Sequence, residues 1–151
     1  MSAVLGIDLG ARRIGLALAG PHGGMAVPLE TIRRGATIDH DVEALSRVIS
    51  AHAVAEVVVG LPLDASGAEG PQAALTRAWA EAVGPRLGVP LALRDERLTS
   101  HLAEQRLGPM KRGRSGGPPT KTQRDLYRSR VDREAAAIIL QDELDARAGR
   151  S

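Results

Sequence analysis

Apolar positions in this chain follow two different periods, and the switches between them divide it into elements. AVLGID, residues 3–8, is an apolar run that reads as a strand, and RIGLALA, 13–19, reads as a second after a glycine-bearing turn. GGMAVPLETI, 23–32, reads as a third strand, with Pro28 marking an edge or a bulge. Connections this short predict an antiparallel meander. The period then lengthens. Ile38, Val42, Leu45 and Ile49 fall at helical spacing, with Thr37 or Asp39 as the cap. AEVVVG, 55–60, is β-branched and apolar on both faces, as a strand covered from both sides should be. GLPLDASGAEGP, 60–71, is a loop. Pro71 suits the first turn of a helix whose Ala74, Leu75, Ala78, Trp79, Ala82 and Val83 share one side, and which stops near Gly84-Pro85 or Gly88. VPLALRDE, 89–96, is another strand, and Thr99 caps a short helix, SHLAEQRL. Residues 108–119 hold seven Gly or Pro among twelve, which predicts a flexible loop at about 108–121. VDREAAAIILQDELDAR, 131–147, reads as the last helix.

Three antiparallel strands followed by helix, strand, helix, strand and helix predict an α/β fold. Its sheet would be mixed and five-stranded, antiparallel then parallel, with helices on both faces. That order is the layout of a ribonuclease H-like fold. The length of 151 residues suits one such domain.

Composition narrows the picture. With no Phe, one Trp and one Tyr, the core must be aliphatic. The absence of cysteine excludes disulfides, thiol chemistry and thiolate zinc sites. No run of 18 apolar residues suggests a membrane helix. No basic n-region precedes the first apolar run, which Asp8 interrupts, so a cytoplasmic location is the expectation. The net charge of +2 is unevenly spread. Arg106, Lys111, Arg112, Arg114, Lys121, Arg124, Arg128 and Arg130 are opposed only by Asp125 within 106–130. That segment carries +7, and the rest of the chain sums to −5. Charge runs are usually solvated surface, but this density beside so much Gly and Pro points to contact with a polyanion. With only Tyr127 and Trp79, base-stacking platforms are scarce, so recognition would rest on backbone charge and shape.

Three acids occupy unusual places. Asp8 lies near the end of the first strand, where an unpaired carboxylate would be costly. Glu96 ends the last strand, and Asp132 falls in the first turn of the expected last helix, on its apolar stripe. Each has a plain reading alone: a turn former, a solvated strand end, a helix-start acid favoured by the macrodipole. Asp95 and Glu96 point to opposite faces, and the pattern does not say which faces the site. Gathered at one sheet edge, three carboxylates would take up protons or hold a hard cation such as Mg²⁺ or Mn²⁺. Such an ion supports phosphodiester cleavage. In the loop, Gly60 and Pro62 end the central strand while Gly67 permits a tight turn. Its backbone N–H groups could meet a phosphate, or it could be a plain strand-to-helix connection.

GIDLGARRIGLA, VVVGLPLDASGAEG, DERLTS and RVDREAAAIILQDEL, in this order and spacing, resemble the motifs of the YqgF (RuvX) family of pre-16S rRNA nucleases. The family also carries an older proposal, Holliday junction resolution. The resemblance covers about residues 4–145. It implies a ribonuclease H-like fold, a divalent-metal nuclease, catalytic and metal-binding acids at Asp8, Glu96 and Asp132, and a role in maturing the 5′ end of 16S rRNA. RNA is then the favoured partner, with branched DNA as the alternative. Two positions depart from the family pattern: Asp64 stands where Asn is usual, and Ala68 where a polar residue is usual. They bear on substrate contacts at the loop and leave the metal site untouched.

Two other readings compete. Sugar kinases and actin-like ATPases share the opening motif, but need a second domain and phosphate loop for which 151 residues leave no room. A nucleic-acid-binding module without catalysis would use the basic segment alone, and its binding would survive loss of Asp8.

Overall fold

In the computed structural model, residues 3–20, 24–97, 99–113 and 116–149 are described. The element order is β1 (Ala3–Leu9), β2 (Arg13–Ala19), β3 (Val27–Arg33), α1 (Ile38–Ala51), β4 (Val54–Pro62), α2 (Pro71–Val83), a single 3-10 turn at Gly84–Arg86, β5 (Leu91–Glu96), α3 (Thr99–Leu107) and α4 (Lys121–Gly149). The sheet runs β3-β2-β1-β4-β5. β1 pairs antiparallel with β2 and β2 with β3, while β4 is parallel to both β1 and β5. This is the mixed sheet that the pattern predicts. Pro28 lies opposite Ala17, at a register shift of the edge strand β3. An edge position tolerates the missing N–H.

Strand alternation sends two sets of side chains to two faces. Leu5, Ile7, Leu9, Ile14, Leu16, Val57 and Val59 pack under α1 and α2, around Leu45, Trp79 and Val83. Val4, Ala17, Ala19 and Val58 pack under α4, against Ala136, Ile139 and Leu140. α3 lies on α4 through Ala103, Val131, Ala135 and Ile138.

Two expectations need correction. The buried face of α2 is Ala73, Thr76, Trp79, Ala80 and Val83, whereas Leu75 is exposed. Counting alanines blurred the stripe, because alanine is at home on either side of a helix. The last helix begins at Lys121, ten residues before Val131. Its start is a reciprocal capping box. Gln123 N donates to Thr120 Oγ1 at 3.1 Å, and Thr120 N donates to Gln123 Oε1 at 2.8 Å. The first turns are polar and nearly all exposed, so no apolar stripe announced them.

The α1–α2 side holds a buried carboxylate. Asp41 is 1% exposed and accepts hydrogen bonds from Trp79 Nε1 at 3.1 Å, Arg34 Nε at 3.3 Å and Gly35 N at 3.3 Å. It ties α1 to α2 and to the end of the β2–β3 hairpin. Asp41→Ala would strand three donors, an expected loss of about 3 kcal/mol. For a chain of this length that is a fall of roughly 6–12 °C in Tm, readable by calorimetry.

Candidate active site

Asp8 lies on the α4 side of β1, because Leu5, Ile7 and Leu9 take the other side. It pairs in register with Gly15 of β2, and the Ile7–Val59 pairing brings it beside Gly60 of β4. The glycines here are seats for α4. A methyl group on Gly15 would overlap the backbone carbonyl of Asp132, and one on Gly60 would overlap Ile139. At Gly6 a Cβ would lie 2.7 Å from Leu140 Cβ and 2.8 Å from the Ala136 carbonyl oxygen. Only bare backbone lets the helix come down this close, and that approach covers Asp8. The Asp8 carboxylate has no hydrogen-bond or ion-pair partner among the described residues. Burial first, and the neighbouring Asp132 charge second, push its pKa up to about 7.

Asp8 and Glu96 line one cavity of about 280 Å³, together with Gly60, Pro62, Leu63, Thr99, Ser100, His101 and Ile139. The β4–β5 register pairs Pro62 with Glu96 and Leu61 with Asp95. Glu96 therefore shares the α4 face with Asp8, while Asp95 projects to the other side, where its charge acts on Arg77. Thr99 Oγ1 donates to Glu96 Oε2 at 3.2 Å, and Arg94 Nε donates to Glu96 Oε1 at 3.1 Å. Burial and the nearby Asp142 carboxylate outweigh these two contacts and raise Glu96 to about 7 as well.

Asp132 is in the middle of α4, so the macrodipole account of a first-turn acid does not apply to it. It sits over Gly15, next to Asp8, and accepts a hydrogen bond from Arg13 Nε at 2.7 Å. The three acids thus meet in pairs: Asp8 with Glu96 in the cavity, Asp8 with Asp132 through repulsion. Among the described residues no three carboxylate or imidazole groups stand close enough to close on one ion. The donor chemistry still fits a hard divalent cation, since two oxygen ligands face one cavity and one of them lacks any counter-charge.

The 62–70 loop reads differently in three dimensions. Asp64 Oδ1 accepts from Ser66 N at 2.9 Å and Ala68 N at 3.1 Å, and Gly67 N donates to the Asp64 carbonyl at 2.9 Å. These N–H groups turn inward, so they are no cradle for phosphate. The departure at position 64 has a local role: its carboxylate folds the loop, and hydrogen bonds from the Ser66 hydroxyl first, then from the backbone N–H groups of Ala68 and Ser66, hold its pKa low. Gly67 takes φ +88°, the left-handed turn for which glycine is suited. Gly60 and Pro62 line the acid cavity, but Gly67 does not.

The basic segment divides between two settings. Lys111 and Arg112 lie in the irregular stretch, and Arg114 lies outside the described residues. Lys121, Arg124, Arg128 and Arg130 stand on the early turns of α4, all exposed. The stretch before α4 is tied to it, since Gln123 Nε2 donates to the Arg112 carbonyl at 2.9 Å and Tyr127 OH to the Gly108 carbonyl at 2.8 Å.

Sequence reasoning missed three groups at the site. Asp142 lies on α4 inside the RVDREAAAIILQDEL motif, where only Asp132 was singled out, and its charge acts on Glu96. His101 reaches the cavity only because α3 folds over it. Arg13 was visible beside Arg12, but nothing in the pattern linked it to Asp132.

Comparison with known proteins bears on the family and the fold. The family model described as RuvX, Holliday junction resolvase, matches residues 2–146. A protein of Anaeromyxobacter dehalogenans, named "Putative pre-16S rRNA nuclease", is 45% identical over 145 residues, spanning 95% of this chain and 97% of its own. One of the same name from Thermobifida fusca is 42% identical over 146 residues, spanning 93% of this chain and 86% of its own. Among solved structures, T. thermophilus RuvC in complex with a Holliday junction substrate superposes with a TM-score of 0.55 at 18% identity, covering 97% of this chain and 96% of that one. At that identity the likeness is one of fold, and it is the ribonuclease H-like fold that the element order implies. Matched by the model over nearly its whole length and by close-length relatives at more than 40% identity, the chain belongs to the RuvX family of nucleases.

Proposed function

We propose that this chain is a divalent-metal nuclease that cleaves precursor 16S rRNA at its 5′ side. The observation that carries the reading is the half-buried Asp8 carboxylate, without a partner among the described residues, facing Glu96 across one cavity. The names of the relatives supply the substrate. Asp8 and Glu96 would hold the cation, with Asp132 at its flank. When bound, Mg²⁺ or Mn²⁺ supplies Lewis-acid activation of water and charge neutralisation at the phosphate.

The chain's own groups do the rest. Arg94 and Thr99 fix the Glu96 carboxylate so that its free lone pairs face the cavity. Arg13 holds Asp132 in a set rotamer beside Asp8. Leu63 and Ile139 shield the cavity floor and keep the acids poorly hydrated, which strengthens their pull on a cation. Ser100 and His101, in the first turn of α3, stand at the mouth, where their side chains can reach substrate oxygens. The Lys111–Arg130 stretch supplies backbone attraction without sequence preference.

Glu96→Gln is expected to reduce cleavage about as severely as loss of any single ligand, on the order of a hundredfold or more, whereas Asp95→Asn should stay within a few-fold of the parent. Labelled precursor rRNA, single-stranded DNA and a four-way junction, digested side by side with Mg²⁺ and with Mn²⁺, test both the residue and the substrate. Preferential cutting of the junction would overturn the RNA reading, and equal damage from the Asp95 and Glu96 changes would overturn the site.

A further inference from the structure

The β2–β3 hairpin carries two arginine doublets, Arg12-Arg13 and Arg33-Arg34, which the fold brings to one end of the sheet. Arg13 and Arg33 are direct partners in the antiparallel register, and Arg34 N donates to the Arg12 carbonyl at 2.9 Å. Lys121, at the start of α4, forms the facing wall of a polar cleft of about 770 Å³. Two of these cations are engaged inward: Arg13 by Asp132 at 2.7 Å, Arg34 by the buried Asp41 at 3.3 Å and the Gly10 carbonyl at 3.1 Å. Lys121 stands 3.7 Å from Asp125, the acid on the lining. The guanidinium groups of Arg12 and Arg33, both exposed, have no partner among the described residues.

Like charges placed directly opposite on neighbouring strands destabilise a sheet. Asp132 and Asp41 offset Arg13 and Arg34, so the uncompensated charge at this end of the hairpin is that of Arg12 and Arg33, which an anion would offset. The guanidinium fork matches phosphate oxygens two at a time, which favours phosphate over a simple halide-like ion. The position suits a chain of phosphates. Asp8 pairs with Gly15, two residues from Arg13, and Arg33 is one strand further. Standard strand spacing and rise put Arg33 on the order of 12 Å from Asp8. At about 3.4 Å per stacked nucleotide, that is three or four nucleotides.

We infer that this cleft is a second phosphate-binding site, in which Arg12 and Arg33 grip the nucleic-acid backbone a few nucleotides from the bond held at the acid cavity. The site shares only Lys121, Asp125 and Ser129, on the early turns of α4, with the 106–130 segment. The inference rests on the nuclease reading, and it adds a register: the strand would be held a fixed few nucleotides from the bond at the acid cavity.

The test is fluorescence anisotropy of labelled single-stranded RNA and DNA in EDTA, where nothing is cut, for the parent, R12Q/R33Q and K111Q/R112Q. Arg13 is left alone because it touches Asp132. Both cleft changes are at exposed positions, so Tm should hold or rise. Loss of two phosphate contacts should lower the slope of log affinity against log salt by about 1.4, about sevenfold over a fourfold salt range. R12Q/R33Q should show that flattening and a weaker affinity for both polymers. Parent-like affinity and slope in R12Q/R33Q, with K111Q/R112Q weakened, would overturn the cleft alone. A parent that binds neither polymer would overturn the nuclease reading and the cleft with it.

Discussion

Asp8→Asn should abolish cleavage and, in the same protein, raise stability in the absence of metal. The two effects share a cause. Asp8 is held half-buried, where its charge is poorly hydrated and has no counter-ion among the described residues, and Asp132 repels it. Its pKa is raised from 3.8 to about 7, so the folded state favours the neutral acid. Stability from that preference is complete below about pH 4 and is lost as pH rises through 7. The metal-free parent should therefore weaken between pH 5 and pH 8 by up to about 3 kcal/mol more than Asp8→Asn does. Glu96, also raised to about 7, adds to the fall over the same window in both proteins. A divalent cation present at pH 8 should return stability to the parent and leave Asp8→Asn unmoved. Catalysis should drop on the order of a thousandfold or more, about 4 kcal/mol in barrier. Thermal melts of both proteins at pH 5 and 8, with and without Mg²⁺ or Mn²⁺, settle the matter. Identical pH profiles would show that Asp8 is not the strained group.

The second large effect is structural. Gly15→Ala is expected to cost about 3 kcal/mol or more, because the added methyl would meet the backbone of α4 at Asp132, and backbone cannot step aside as a side chain can. α4 would have to lift from β2, one of the strands it chiefly covers, and Asp132 would move away from Asp8 with it. Gly20→Ala is the control: nothing lies within 4 Å of a Cβ at that position. It should change stability by no more than about 0.5 kcal/mol. Denaturant melts of the two variants give the comparison. A Gly15→Ala protein as stable as Gly20→Ala would mean that α4 does not sit as close to the sheet as described. Residual activity in a folded Gly15→Ala protein should fall further than its stability predicts, since the lost approach is the one that positions Asp132.

Much of this could be read from order and period. Strand periods, the glycine-rich punctuation and the Pro71 helix start determined the elements, and their order determined the sheet, because short connections leave few ways to pair three strands and few ways to cross back. The four motifs, in their order, also marked Asp8, Glu96 and Asp132 before any distance was known. Local signals failed where burial was not their cause. The early turns of α4 are polar, and only the Thr120–Gln123 capping pair betrayed the helix there. The face of α2 was misjudged because alanine carries little information about burial. What tertiary structure alone decided is pairing across distance. Which of Asp95 and Glu96 meets Asp8 depends on the Pro62–Glu96 register of β5. That Asp132 is bound to Arg13, and that Arg33 stands against Arg13 to make a cationic cleft, depends on β2 lying beside β3 in the sheet and under α4. Charge acts through space, and a sequence orders residues along a line, so the electrostatics of the site could only appear once the chain had folded.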